Sequence, residues 1–169
     1  FYGVGILLKS GKIVKRKGVN LISQLDKHQQ QLKKCSSCPD MVGVPVHGNA
    51  VLSSIMLIGQ APGIKEADID KPFAWTAGKT LFKWFNRIGM SEEEFRQQVY
   101  MTAVCRCFPG KLAKGGDRVP DKEEIKNCSR WLEAEINIIQ PKLIILVGKL
   151  SINQVIPIKK LTQVIGTQV

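Results

Sequence analysis

An α/β fold, with a parallel sheet covered by helices on both faces, is predicted by two features of this chain. Buried-type runs at Val51–Ile58, Val99–Val104 and Leu143–Gly148 alternate with stretches whose apolar residues recur at helical spacing. Capping patterns open several of those stretches, so the helices have defined starts as well as apolar faces.

The elements follow in order. Residues 1–18 begin apolar, carry Lys9-Ser10-Gly11-Lys12 as a turn, and then the run Lys15-Arg16-Lys17. They read as a basic hairpin or arm ahead of one domain over 19–169. Asn20 is the expected N-cap of a helix to about Lys34, with Leu21, Leu25, Gln29 and Leu32 on one side. Pro39–Ala50 is a loop, and the first core strand is expected over Val51–Ile58. A Gly/Pro loop covers Gly59–Trp75. Ala77, Leu81, Trp84, Phe85 and Ile88 then define a helix stopped at Gly89. Ser91 with Glu94 caps a short helix to Gln98, and Val99–Val104 is the second strand. The Gly/Lys-rich loop Cys105–Pro120 leads to Asp121 with Glu124, a capping box for the helix bearing Ile125, Cys128, Leu132, Ile136 and Ile139. The third strand is Leu143–Gly148, and a further strand region is expected to begin near Thr167–Val169.

A length of 169 residues suits one domain that buries roughly 70% of its unfolded surface. The composition is 44% hydrophobic, but 25 Lys+Arg against 14 Asp+Glu leave a net charge of +11. Such a surface fits a polyanionic partner, because neutralising each phosphate releases counterions. No run reaches the ~18 apolar residues that span a bilayer, so no membrane partner is expected. Five cysteines at this length do not resemble a secreted disulfide framework, and a reducing cytoplasm is the expected location.

Cys35-Ser36-Ser37-Cys38 follows a helix, and a two-residue gap lets two thiolates reach one metal or cluster. Two more distant thiolates would complete a four-sulfur site, suiting tetrahedral zinc or a [4Fe–4S] cluster. A redox pair is the rival, although no strand precedes it as in thioredoxin-like motifs. Cys128 falls on an apolar helix face, where a free thiol also packs well. Cys105 and Cys107 share one face of a strand, so spacing does not choose between them.

The loop Gly59-Gln60-Ala61-Pro62-Gly63 leads to Pro72-Phe73 and then Thr76-Ala77-Gly78-Lys79-Thr80. Gly78-Lys79-Thr80 imitates the end of a phosphate-binding loop, but Phe73 stands where that motif needs Gly. The dinucleotide-binding glycine spacing is absent too. What remains is an aromatic held behind a proline beside loop N–H groups, a combination suited to stacking on a flipped base.

Over roughly residues 20–155 the chain resembles the iron–sulfur (family 4) uracil-DNA glycosylases. The resemblance rests on Cys35-x-x-Cys38, Gly59–Gly63, Lys71-Pro72-Phe73 with Ala77-Gly78, Tyr100–Pro109, Glu124-Ile125 leading to Cys128, and Gln140–Gly148. It implies a three-layer α/β/α fold with a small, mainly parallel sheet, and a structural [4Fe–4S] cluster on Cys35, Cys38, Cys107 and Cys128. Zinc is the less favoured occupant. It implies a base pocket formed by Gln60, Ala61, Pro62, Gly63, Phe73 and Ala103, with Phe73 stacking and Gln60 at the catalytic position. Gly78 in a helix's first turn, Lys79, Lys83 and Arg106 are the expected DNA contacts.

Two positions depart from the family pattern: Gln60 stands where Glu is usual, and Ala103 where an Asn reads the uracil edge. The family's His-Pro-Ser-type motif is not found within residues 1–169, and a C-terminal strand is expected to be missing with it. Glu66, Asp68 and Asp70 read as solvated loop charges in preference to a replacement acid. The expected function is a monomeric DNA-repair glycosylase that flips a deaminated, uracil-type base and hydrolyses its N-glycosidic bond. The alternative is a catalytically impaired iron–sulfur nucleic-acid-binding protein on the same scaffold.

Overall fold

The computed structural model describes the backbone of Val4–Leu8 and the whole of residues 20–164. The expected turn at Lys9–Lys12, the basic run Lys15–Lys17 and the expected strand near Thr167–Val169 lie outside those residues. Four strands, β1 (Val4–Leu8), β2 (Ile55–Gly59), β3 (Tyr100–Ala103) and β4 (Leu143–Val147), form one sheet in the order β1-β4-β2-β3. β2 runs parallel to both neighbours, pairing Met56 with Tyr100 on one side and Met56 with Ile144 on the other. β1 adds an antiparallel edge along β4, from Val4 opposite Val147 to Leu8 opposite Leu143. The mainly parallel sheet is therefore as expected.

Alternation along the strands sorts the core into two layers. Met56, Ile58, Tyr100, Ile144 and Leu146 face α1 (Leu21–Lys33) and α5 (Lys122–Ile139), packing on Leu25, Cys128 and Leu132. Leu57, Met101, Ile145 and Val147 face α3 (Thr76–Asn86) and α4 (Glu92–Gln98), packing on Leu81, Phe82 and Phe95. Each fully buried Leu, Ile or Phe contributes roughly 1.5–3 kcal/mol, so both faces of the sheet hold the helices strongly. The result is helix, sheet, helix in three layers.

The caps act as their sequence patterns predict. Asn20 accepts from Ser23 N, Ser91 from Glu94 N and Asp121 from Glu124 N. Glu94 and Glu124 reach back to the backbone N–H of Ser91 and Asp121. The first core strand starts later than expected. Ser53 Oγ accepts from Ile55 N, and Ser54 O accepts from Lys142 N and Leu143 N, so Val51–Ser54 is an anchored approach to β2. The expected loop after β2 contains a further short helix, α2 (Ile64–Asp68). Beyond Gly148 the chain forms α6 (Lys149–Asn153) and a 3-10 turn at Leu161–Gln163.

Candidate functional site

Parallel strands present their carboxyl ends on one side, and loops leaving those ends commonly frame ligand sites. Here the ends of β2, β3 and β4 open into a cavity of about 350 Å³. Its wall includes Gln60, Ala61, Pro62, Gly63, Phe73 and Ala103, all six residues nominated from the sequence for base binding. The backbone continues the β2–β3 pairing beyond the strands: Val104 N donates to Gly59 O and Cys105 N to Gln60 O, each at 3.0 Å. This pins the Gln60 backbone beside the exit of β3.

Phe73 sits in the left-handed region at φ +54, uncommon for an aromatic residue and costing roughly 1–3 kcal/mol. Three features hold it there. Arg96 donates to the Pro72 and Phe73 carbonyls at 2.9 and 3.0 Å. A Cβ at Gly78 would lie 1.6 Å from the Phe73 carbonyl oxygen, so only glycine lets α3 start so close to the loop. A Cβ at Gly59 would lie 2.7 Å from the Phe73 ring, which packs over the bare end of β2. Phe73 is 9% exposed and belongs to the α3-side core while also lining the cavity. Core packing and pocket lining are thus both properties of this one ring.

The acidic residues of the loop divide. Asp68 pairs with Lys65 at 3.7 Å, and Asp70 pairs with Lys33 across the surface, as solvated charges do. Glu66 does not behave as a solvated charge. It is buried, lines the cavity, and accepts from Gly63 N at 3.2 Å. Burial pushes its carboxyl above the ordinary range, while the backbone N–H groups of Gly63, Trp75, Phe73 and Ala74 pull the other way. The reading of Glu66 as a solvated charge is corrected: it clasps the two loops that frame the pocket. Its signal was present in sequence as an acid in the third position of an unrecognised helix.

Asp117, Trp75 and Thr102 also line the cavity, although sequence reasoning did not single them out for it. Asp117 arrives on the long loop after β3. Arg118 fastens that loop by donating to Pro109 O at 2.7 Å and gripping both oxygens of Glu124 on α5 at 2.6 and 2.8 Å.

Among the expected DNA contacts, Lys79 and Lys83 are exposed on α3. Gly78 is buried, spent on the close approach to Phe73. Arg106 is a correction, because it is 1% exposed and has no route to an external phosphate. Its guanidinium donates to both oxygens of Glu135 on α5, at 3.0 and 2.6 Å. Thr102 Oγ1 donates to the same carboxylate at 2.8 Å, and His28 Nε2 lies 3.4 Å from it. Burial raises the Glu135 carboxyl, but Arg106, His28 and Tyr100 more than offset this and hold it at about 2. A cation inside this domain is matched by a buried anion, as burial of charge requires.

A second cavity of about 420 Å³ is lined by Cys35, Cys38, Cys107 and Cys128, with Arg106 at its edge. Cys35 follows directly from α1, its N–H returning to Leu32 O at 2.9 Å. Asn127 and Arg130 of α5 hold the intervening loop by donating to Ser37 O and Ser37 Oγ, at 3.3 and 3.2 Å. Cys105 does not line this cavity. It is fully buried, and its neighbour Cys128 pushes the Cys105 thiol up while Cys105 favours the Cys128 thiolate. Among the described residues no set of three or more His, Cys, Asp or Glu side chains forms a ready metal-binding group. The donor chemistry nonetheless fits a thiophilic group: four sulfurs share one cavity. The buried Trp131 Nε1–H has no hydrogen-bond partner among the described residues. Burial raises the Cys35 thiol, but Ser37 chiefly, with the Trp131 and Arg130 side chains, outweighs this and favours the thiolate.

The family model described as the uracil DNA glycosylase superfamily matches residues 45–168. Among curated proteins, a type-4 uracil-DNA glycosylase of Saccharolobus solfataricus is 35% identical over 135 residues, covering 77% of this chain and 58% of the relative. One from Pyrobaculum aerophilum is 32% identical over 131 residues, covering 75% of this chain and 62% of the relative. A type-5 uracil-DNA glycosylase of the same organism is 24% identical over 164 residues, across 79% of this chain and 70% of that protein. The chain spans about three fifths of the length of the type-4 relatives named here. Because the family model spans well over half of the chain, the chain belongs to the uracil-DNA glycosylase superfamily, and type-4 enzymes are among its relatives.

Proposed function

We propose that this chain is the α/β domain of a DNA-repair glycosylase that takes a flipped, deaminated base into the strand-end pocket. There it hydrolyses the N-glycosidic bond. The observation that carries the reading is the convergence of Gln60, Ala61, Pro62, Gly63, Phe73 and Ala103 on one base-sized cavity. An extruded base stacks on Phe73, whose ring is held rigid from beneath by Gly59, while loop N–H groups meet its carbonyl oxygens. The C1′–N bond breaks with its electron pair leaving on the base, and a water oxygen bonds to C1′ while its proton passes to solvent. Gln60 orients that water through its amide and takes no proton itself. Glu66 acts by holding the Gln60–Gly63 and Phe73–Trp75 loops in register.

Cys35, Cys38, Cys107 and Cys128 are the residues that would hold a [4Fe–4S] cluster. Bound there, it supplies a structural crosslink between the end of α1, the loop after β3 and α5. Zinc is the alternative occupant for the same four sulfurs. Lys79 and Lys83 supply cationic contacts to the DNA backbone, and the domain acts as a monomer.

Oligonucleotides carrying uracil or hypoxanthine, treated with alkali after incubation, test the activity. Strand scission at the modified position is expected. No scission with either base, by folded protein that still binds DNA, overturns the glycosylase reading. That outcome supports the second reading, a nucleic-acid-binding protein with impaired catalysis, which these two positions specifically favour because Gln60 lacks the usual carboxylate and Ala103 the base-reading amide.

A further inference from the structure

Trp75 has no part in the base-stacking assigned to Phe73, and its placement is unusual. It occupies the N-cap of α3 without making a side-chain cap, so the indole is not spent on the helix. It is 49% exposed, yet it lines the same cavity as Phe73. Lys79, one turn further along α3, places its ammonium 4.7 Å from the indole centroid. The first turn of α3 carries no acidic residue, and Lys83 follows Lys79 by one more turn on an exposed path. An aromatic plane, a cation resting on it and a second cation behind are thus continuous with the mouth of the pocket.

We propose that Trp75 is a stacking platform for the unpaired base adjacent to the flipped one, with Lys79 meeting the phosphate between the two nucleotides. This deepens the base-flipping reading and rests on it. The occupant follows from continuity and charge. A strand whose base enters the cavity must place its next phosphate and base at the rim. The rim offers the broad π-face of Trp75 with the Lys79 ammonium upon it, and Lys83 is exposed one turn further along α3. Stacking on an aromatic is tolerant of base identity, so the platform selects strand state rather than sequence. In a duplex the neighbouring base remains paired and stacked and is not free to reach the indole. The platform therefore confers a preference for single-stranded or locally opened DNA. When the base arrives, Lys79 leaves the ring for the phosphate, exchanging a cation–π contact for a charge-assisted one.

Binding of short undamaged oligonucleotides, single-stranded and as duplex, tests the proposal by fluorescence anisotropy at fixed salt. Trp75→Ala should weaken single-strand binding roughly tenfold and duplex binding less than twofold. Trp75→Phe should retain most of the single-strand affinity, because a π-face remains. Thermal unfolding of both variants should match the parent, since the indole is half exposed. Equal losses on both substrates, or no loss on either, overturn the platform. The two readings separate cleanly. Base release from uracil oligonucleotides with single-strand affinity unchanged in Trp75→Ala sinks the platform and leaves the glycosylase standing. A lost single-strand preference with no base release by the parent leaves the platform on a binding protein.

Discussion

The strand-end pocket depends on two close backbone approaches, with Phe73 at φ +54 and two glycines admitting its ring and carbonyl. The cysteine cavity is instead defined by side chains brought from α1, the loop after β3 and α5. The first should tolerate many side-chain changes but almost no added Cβ. The second should tolerate backbone adjustment but not the loss of a sulfur. Between them lies Glu135, which holds Thr102 of the pocket wall and Arg106 at the edge of the cysteine cavity. The comparison shows how one small sheet supports two sites with different vulnerabilities: strain is concentrated in one and donor chemistry in the other.

Removing a sulfur tests the contrast most severely. For the proposed cluster, Cys107→Ser should abolish iron and inorganic sulfide in anaerobically prepared protein, whereas Cys105→Ser should leave both near the parent value. Equal loss in both variants would break the separation of the two thiols, and zinc in the parent protein would replace the cluster.

Next in size is the buried bridge. Glu135→Gln leaves the Arg106 cation without its partner and should cost about 3–5 kcal/mol in urea unfolding. A paired change, Glu135→Leu with Arg106→Met, should recover much of that loss. The bridge also sets a pH limb. A carboxyl held at about 2 in the folded chain, against 4.5 ordinarily, contributes stability that is full above about 4.5. It is lost progressively as pH falls toward 2, amounting to roughly 3 kcal/mol. Glu66 has the opposite sign, because burial raises its pKa: its contribution is present below the ordinary value and is lost as pH rises through the raised one. Glu66→Gln should flatten that second limb in a stability-versus-pH series.

Gly78→Ala probes the strained side. The new methyl meets the Phe73 carbonyl, so the loop must shift at a cost of about 1–3 kcal/mol. DNA binding should fall further than stability, and iron content should not change. A parallel loss of iron would mean that the two sites are not built independently. The smallest effect belongs to the exposed lysines. Lys79→Met and Lys83→Met should each lower the slope of log affinity against log salt by about one, with little change in unfolding.

Much of the scaffold was legible because its signals are local. Asn20, the Ser91–Glu94 pair and the Asp121–Glu124 pair each close a cap within three residues, and the β2, β3 and β4 cores are short apolar runs. α2 escaped notice because Gly63 provides no side-chain cap, and its one signal, Glu66, was read as a loop charge. The start of β2 was placed too early because Val51 and Leu52 are apolar, while the serines after them anchor the approach by bonds to Gln98 and from Leu143. Arg106 was misread as a surface cation because its partner lies 29 residues away on α5.

The sequence by itself determined the succession of α1, β2, α3, α4, β3, α5 and β4, the caps of α1, α4 and α5, the net positive charge and the positions of the five thiols. These depend on periodicity and on contacts within a turn or two, which any stretch of chain carries with it. Spacing left Cys105 and Cys107 equal and the family resemblance preferred Cys107; the tertiary structure put Cys107 on the cavity wall and turned Cys105 into the core. It also decided that Glu66 is a clasp, that Arg106 is internal, and that Trp75 stands at the pocket's rim. Those outcomes depend on which buried charge finds a partner and which backbone can approach another, and such pairings exist only once distant segments are packed together.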